Sequence, residues 1–510
     1  MRLVTLAWAF GAMWMQITCG AALTRYAKVL GMPALGFGLL AAMPYVGSLM
    51  QLPASFIMER YGRRKLFFMT AGVIHRALWV PIAAIPWVLP ANLWWVALLA
   101  FMTASSVAAN ISSPGVMAWF GDIVPRPLRG RYFSKRMQVG QLTGLLAVLA
   151  VGFALDKAQL VSQTALQWTV SGVLAAAAVL GVADFLVLTR VPHADIRDRD
   201  GSVNLWTVLR EPLADRNFRR FIGFSATLTF GVGYIGPYIW LYVFDVVKLS
   251  NSAANLVLVA IPLLVSLLSV PFWGRMIDRF GRRPVMLIAG IFIIPGGAAW
   301  IFIRQTNWHI GYPLASGAMF AFPGLDLAGL NLLLSLTTLP GSRRPNSAYL
   351  AVFAVTVALA GALSGVFGGI VARALSGWEG VFLGWPLTYH GVLFLISGGL
   401  RGLSLLWLIG LEDRGAHGLR DTLHQIGGGA RGGVGRALVA TGRVTHGLAA
   451  AVSSSRLAIV SSMRAPISLY RSRVRTLALA RAYGTSRVTA QIPCSRARYV
   501  AKLGDSHRDG

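Results

Sequence analysis

Charge is what this sequence lacks. Only 13% of its 510 residues are Asp, Glu, Lys or Arg, where a soluble domain carries about 25%. The shortage is uneven, with 18 acids against 47 bases. A chain this poor in charge and 55% hydrophobic cannot cover itself with a polar surface, which excludes an ordinary soluble protein. Cysteine is scarcer still. Cys19 and Cys494 stand in unrelated contexts and cannot build a disulfide framework or a metal cluster. Also missing are paired carboxylates on one helix face, a His/Cys set with metal-ligand spacing and a Gly-x-x-x-x-Gly-Lys-Ser/Thr nucleotide loop. These absences argue against an enzyme, a resident metal or cofactor, and an ATP-driven pump.

What the chain has instead is apolar length. About 20 apolar residues cross a bilayer as a helix, and runs of that size lie near 3–23, 35–57, 66–88, 91–112, 136–155 and 167–189, then near 221–243, 253–274, 284–303, 309–336, 348–371 and 388–410. Sixteen Trp and 25 Phe suit aromatic belts at membrane interfaces. The reading is an all-α polytopic membrane protein with twelve transmembrane helices. The amino end is read as the first of them, since Gln16 and the residues before it do not form a signal-peptide cleavage site.

The net charge of +29 is explained by topology rather than by nucleic acid. Bases cluster in the loops after helices 2, 4, 8 and 10 and in the central linker, while the other loops hold at most one or two each. Under the positive-inside rule this alternation places both termini in the cytoplasm of a multi-pass inner or plasma-membrane protein. Residues 1–190 form one six-helix bundle and 221–411 a second. The linker 191–220 mixes apolar and basic residues and is expected to hold an interfacial helix. The basic tail 412–510 is rich in Arg, Ala, Ser and Gly and is expected to be disordered.

One stretch occurs twice. Gly274-Arg-Met-Ile-Asp278-Arg279-Phe-Gly281-Arg282-Arg283-Pro284 follows helix 8, and Ser55-Phe-Ile-Met-Glu59-Arg60-Tyr-Gly62-Arg63-Arg64-Lys65 follows helix 2. Helices 4 and 10 also correspond, through Pro114-Gly115 and Pro323-Gly324. Two pseudo-symmetric six-helix halves running in the same sense therefore fit as parallel repeats. With these hairpins the chain resembles the major facilitator superfamily of transporters over roughly residues 3–411. The resemblance implies that fold and a secondary active transporter, which moves a small solute by alternating access of its halves.

The hairpin has its own physics. Asp278 sits in the last turn of a helix, where the backbone dipole already presents negative charge. Such an acid belongs against another helix's amino end or an arginine, and the resemblance implies a latch of that kind in the state closed to the cytoplasm. Gly281 permits a positive-φ turn. The first copy departs from the family pattern at Ser55 and Glu59, so the two halves are expected to be latched unequally.

An ionisable group at mid-bilayer costs roughly 2.5–3.5 kcal/mol and so marks function or a structural pair. Asp326, beside Pro323-Gly324 and ahead of Asn331 in helix 10, is the main candidate for contact with solute or a coupling proton. Gln16 in helix 1, Asn110 in helix 4, and Tyr234 and Tyr238 in helix 7 are the polar and aromatic candidates. Tyr242 shares the tyrosine face and is assigned to an interfacial belt, and the run Gly231–Pro237 is expected to let helix 7 bend. Arg76, Arg401 and Asp184 are read as structural or snorkelling groups. The remaining partners expected are the lipid bilayer, with no nucleic acid, and the protein is expected to be a monomer. The competing class is a non-transporting scaffold, assembly factor or sensor on the same fold, with the basic tail as its docking element.

Overall fold

A computed structural model describes residues 1–61, 64–124, 129–191, 212–337, 346–382 and 384–413, all within one compact unit, Met1–Thr422. Eleven helices are long and apolar enough to cross a membrane, and a bent pair makes twelve spans among the described residues. The first half contains α1 (Arg2–Cys19 and Ala21–Val29), α2 (Ala34–Ser48 and Gln51–Tyr61), α3 (Arg64–Ala77 and Trp79–Val88), α4 (Trp94–Ile123), α5 (Arg129–Val161) and α6 (Gln163–Thr189). The second contains α7 (Arg216–Gly233 and Gly236–Asp245), α8 (Asn251–Phe280), α9 (Arg282–Phe302), α10 (Gly311–Thr337), α11 (Asn346–Ala374) and α12 (Tyr389–Ile409). A short hairpin of β1 (Glu379–Phe382) and β2 (Trp385–Thr388) joins α11 to α12, with Glu379 opposite Thr388 and Phe382 opposite Trp385. Gly62 and Arg63, the side chains of Glu59, Arg60 and Arg64, linker residues 192–211 and tail residues 414–510 lie outside the described residues.

The helices outrun the apolar segments that announce them, because a helix continues past the hydrocarbon as long as its backbone can bond to itself. Thus α4 extends to Ile123 and α8 to Phe280, so the hairpin residues Gly274–Phe280 are helical. The turn itself is a single residue, Gly281, at φ 91°, the left-handed backbone that only glycine adopts freely. Breaks have local causes as well. Gly20 is extended between the two pieces of α1, which meet at 46°. In α7 the interruption falls between Gly233 and Gly236, and Pro237 restarts the helix at its first turn, where its missing N–H is not needed. Asp215 caps the start of α7 by accepting from Asn217 N at 2.8 Å and Phe218 N at 3.2 Å.

Packing repeats between the halves. α1 lies against α5 and α6, and α4 against α2 and α3; correspondingly α7 lies against α11 and α12, and α10 against α8 and α9. The halves meet through α2 on α11 and α5 on α8. Their cores are distributed unequally along the helix axes. Near the arginine hairpins each half has its own cluster, around Phe68, Trp119 and Phe185 in one and Phe221, Trp273 and Tyr349 in the other. At the opposite end one cluster takes residues from both, among them Trp14, Tyr26, Trp79, Tyr238, Tyr242 and Phe394. The molecule is therefore joined at the end away from the hairpins.

Candidate functional site

The joint is built from small residues and from polar groups that cross between the halves. In α11 the glycines Gly361, Gly365 and Gly369 recur every four residues and face α2. A β-carbon at Gly365 or Gly369 would collide with the facing backbone around Gly38, so glycine is what permits this approach, as in other small-residue membrane contacts. The Tyr45 ring of α2 packs on Gly361. Tyr238 Oη donates to Ala34 O at 3.0 Å, Arg25 Nε to Asn251 Oδ1 at 2.6 Å, and Lys28 pairs with Asp245. Asn255 serves both α1 and α5: its Oδ1 accepts from Ala21 N at 3.2 Å and its Nδ2 donates to Val148 O at 2.9 Å.

Among the candidates, Asp326 stands apart. It lies on the exposed face of α10, and no described residue hydrogen-bonds or ion-pairs with it. α10 runs unbroken through Pro323 and is pinned there by Trp273 of α8, whose indole N–H donates to Phe320 O at 2.6 Å and whose ring covers Gly324. A rigid helix thus presents an unpaired carboxylate, an arrangement suited to a proton or a polar solute. Asn331 is five residues further along, about 7.5 Å, towards the hairpin. Its side chain donates to Leu327 O at 2.9 Å and its carbonyl accepts from Arg282 Nη1 at 3.2 Å.

Gln16 is half-buried against Gly144 of α5. Asn110 is engaged with α2, accepting from Gln51 Nε2 at 2.7 Å, and donates to Ser106 O at 2.8 Å. Tyr234 is 3% exposed and stacks on Phe230, while Tyr238 is fully buried in the joint. Tyr242, assigned from sequence to an interfacial belt, is 2% exposed and donates to Ile303 O at 2.7 Å. No hydrogen bond or ion pair connects any two of Gln16, Asn110, Asp326, Asn331, Tyr234 and Tyr238. An apolar groove of about 370 Å³ between α2, α3 and α4, lined by Met58, Phe67 and Ile74 among others, involves none of them either.

The intramembrane arginines are structural. Arg76 of α3 reaches Asp184 of α6, Nη2 to Oδ2 3.5 Å, and lies over the Trp14 ring at 3.5 Å from its centroid. Neither residue snorkels, since they are 8% and 6% exposed. Arg401 is 3% exposed and donates to Ile293 O at 2.9 Å, just before Pro295-Gly296-Gly297 breaks α9. Arg136, near the start of α5, is folded in between Trp8 and Phe120, 4.2 and 4.6 Å from their centroids.

At the hairpin after α8, Asp278 is exposed. The arginines behind it grip the end of α12. Arg282 pairs with Asp413 at 2.7 Å, whose carboxylate also accepts from the backbone N–H groups of Arg282 and Arg283 at 2.8 and 3.1 Å. Arg283 Nε donates to Leu408 O at 3.0 Å, and Nη2 to Ile409 O. In the first half Lys65 does the same for α6, donating to Thr189 O at 3.1 Å and Val191 O at 2.6 Å. Cations thus satisfy the open carbonyls at helix ends. Asp413 was not singled out from sequence; an acid directly following the last span was its only signal.

This geometry of two six-helix repeats meets an independent finding: a family model described as Major Facilitator Superfamily matches residues 5–365. The chain belongs to the Major Facilitator Superfamily. It is accordingly a secondary transporter embedded in a membrane, and family membership points to transport rather than to an enzyme. No curated protein matches it. Solved superfamily structures share its fold. A mutant of the nucleoside transporter NupG has a TM-score of 0.63 at 14% identity, covering 80% of this chain and 98% of its own. A D-xylose–proton symporter has 0.57 at 16% identity, covering 80% and 97%. The xylose transporter XylE from E. coli, in a partially occluded inward-open conformation, has 0.57 at 13% identity, covering 82% and 99%.

Proposed function

We propose that this superfamily transporter carries a small polar solute together with a proton, that Asp326 is the coupling carboxylate, and that the hairpin end faces the cytoplasm with both termini. In this reading the protein is a monomer of the inner or plasma membrane and the conformation described is open to the cytoplasm. The observation that carries the proposal is the pairing of two facts. The halves share a core and cross-bonds at the end away from the hairpins, and Asp326 is exposed and unpaired midway along α10. The alternating basic loops support the sidedness. The solved neighbours named for nucleosides and for xylose with a proton support the solute class and the coupling.

In mechanism, the carboxylate of Asp326 binds the proton or the solute while the site is open to the cytoplasm. Closure at the hairpin end then requires the exposed Asp278 to dock on another helix, and opening at the far end requires the glycine contact between α2 and α11 to part. The rigid backbone around Trp273 keeps Asp326 in place while its half turns. The test has two stages. A thermal-shift screen of the purified protein against panels of nucleosides and sugars identifies a solute, and uptake into proteoliposomes is then measured with and without an inward proton gradient. Wild-type protein should accumulate the solute only with the gradient, and Asp326→Asn should equilibrate it without accumulation. Gradient-driven accumulation by Asp326→Asn equal to wild type would refute the assignment.

A further inference from the structure

The first turn of α8 is bound by a single carboxylate from the other half. Asp156, on α5 near its end, accepts four hydrogen bonds from α8. Its Oδ1 takes the backbone N–H of Asn251 at 2.5 Å and the side-chain Nδ2 at 2.9 Å. Its Oδ2 takes the backbone N–H of Ser252 at 3.0 Å and the Ser252 hydroxyl. Asn251 is fully buried and held from two further sides, by Gln159 Oε1 at 3.0 Å and by Arg25. Arg25 itself lies over the Phe244 ring at 3.8 Å. Gly152, one turn back on α5, lets the Ser252 backbone come close.

The physics matches that of Asp278 at the other end of the same helix. An acid near the carboxyl end of its own helix gains nothing from that helix's dipole, whereas the amino end of a second helix offers free N–H groups and partial positive charge. Asp156 satisfies two of the four N–H groups that α8 leaves open and does so across the boundary between the halves. Other links cross there as well, through Asn255 to Ala21 N and Val148 O, Arg25 to Asn251 and Tyr238 to Ala34 O, but Asp156 alone among the described residues gathers four hydrogen bonds from α8 on one side chain. Lys28–Asp245 is a substantially exposed pair, worth little in water.

We propose that Asp156 is a positioning residue of the transport cycle: it locks the extracellular end of α8 in the inward-open state and releases it when that end opens. The proposal rests on alternating access as read above. Because all four acceptor contacts leave one carboxylate, they are lost together when α5 and α8 separate, and water can solvate both sides at the membrane surface. Release is then close to all-or-none. α8 is latched at its two ends in alternate states, by Asp156 outside and Asp278 inside, so weakening either should move the balance of states in opposite directions.

The test uses the full-length protein in nanodiscs with Cys19 and Cys494 replaced by Ala. Spin labels at Leu160→Cys and Lys248→Cys, both exposed, report the separation of α5 from α8 at the outer end by pulsed electron resonance. Losing a charge-assisted cap should raise the ratio of long to short distances about tenfold or more in Asp156→Asn. Asp278→Asn should lower it, and the double variant should return it towards wild type, which damage to the fold would not do. Should Asp156→Asn fail to fold, Asn251→Ala with Ser252→Ala removes two of the four donors and should shift the ratio the same way. A wild-type distribution in Asp156→Asn alongside a shift in Asp278→Asn overturns the role of Asp156 alone. No shift in either variant overturns alternating access with it.

Discussion

Replacing Asp184 by Leu isolates the energetics of the first half's buried ion pair. In the wild type, Arg76 meets one carboxylate oxygen at 3.5 Å and the Trp14 ring, while its Nε and Nη1 have no partner. The Trp14 contact exists before and after the substitution, so it cannot offset the loss. What remains is an uncompensated guanidinium in a packed site, and breaking a buried pair from one side costs about 3–5 kcal/mol. Removing both charges, as Arg76→Met with Asp184→Leu, eliminates the stranded cation and should cost about 1–2 kcal/mol, the price of imperfect repacking. The double variant should therefore be more stable than Asp184→Leu alone by about 2–3 kcal/mol. The assay is unfolding of the purified protein by SDS titration in mixed micelles, read by tryptophan fluorescence for wild type, both single variants and the double. Transport by the double variant should stay within a few-fold of wild type, because neither residue belongs to the proposed coupling site. An Asp184→Leu protein as stable as wild type, or a double variant no more stable than it, would refute the reasoning.

Three further outcomes are expected. Asp278→Asn should leave the protein in the membrane but slow net transport at least tenfold, measured as uptake per correctly inserted protein. Gly365→Val places branched carbon where Gly38 and Ala42 approach; it should abolish closure at the outer end, seen as lasting modification of an outer-end cysteine by a membrane-impermeant thiol reagent. Asp326→Asn should remove the dependence of uptake on external pH in proteoliposomes, while counterflow exchange of the solute persists.

Much of the fold was legible because it depends on local chemistry. Span number followed from apolar length, and the interruption of α7 falls within the run Gly231–Pro237. Gly281 was read as a positive-φ turn because no other residue type closes so short a hairpin cheaply, and it sits at φ 91°. The repeat, too, was visible in matched hairpins, and it reappears in matched packing. The candidate site was less legible. Asp326 could be singled out as a candidate because an acid in an apolar run is conspicuous, but the tyrosines of α7 could not be assigned. Their four-residue spacing puts them on one face without saying what covers it, and Tyr242 proved to be bonded inside the protein rather than at an interface. Arg136 shows a similar ambiguity: a base near a helix end looks the same in sequence whether it faces lipid headgroups or lies, as here, between Trp8 and Phe120.

The sequence by itself determined that this chain crosses a membrane about twelve times, that it is built as two related halves, and where the hairpin after α8 turns. Hydropathy, charge placement and backbone preference act over a few residues, and lipid imposes them on every helix alike. Only the tertiary structure decided that Asp184 answers Arg76, that Asp413 caps α9, that Asp156 holds the start of α8, and that the halves are joined at one end. Lipid tails and a protein interior are about equally apolar, so an apolar face carries no label saying which of them it meets. That choice is made by which helices come together, through contacts between residues as far apart as Asp156 and Asn251, and composition along the chain does not encode it.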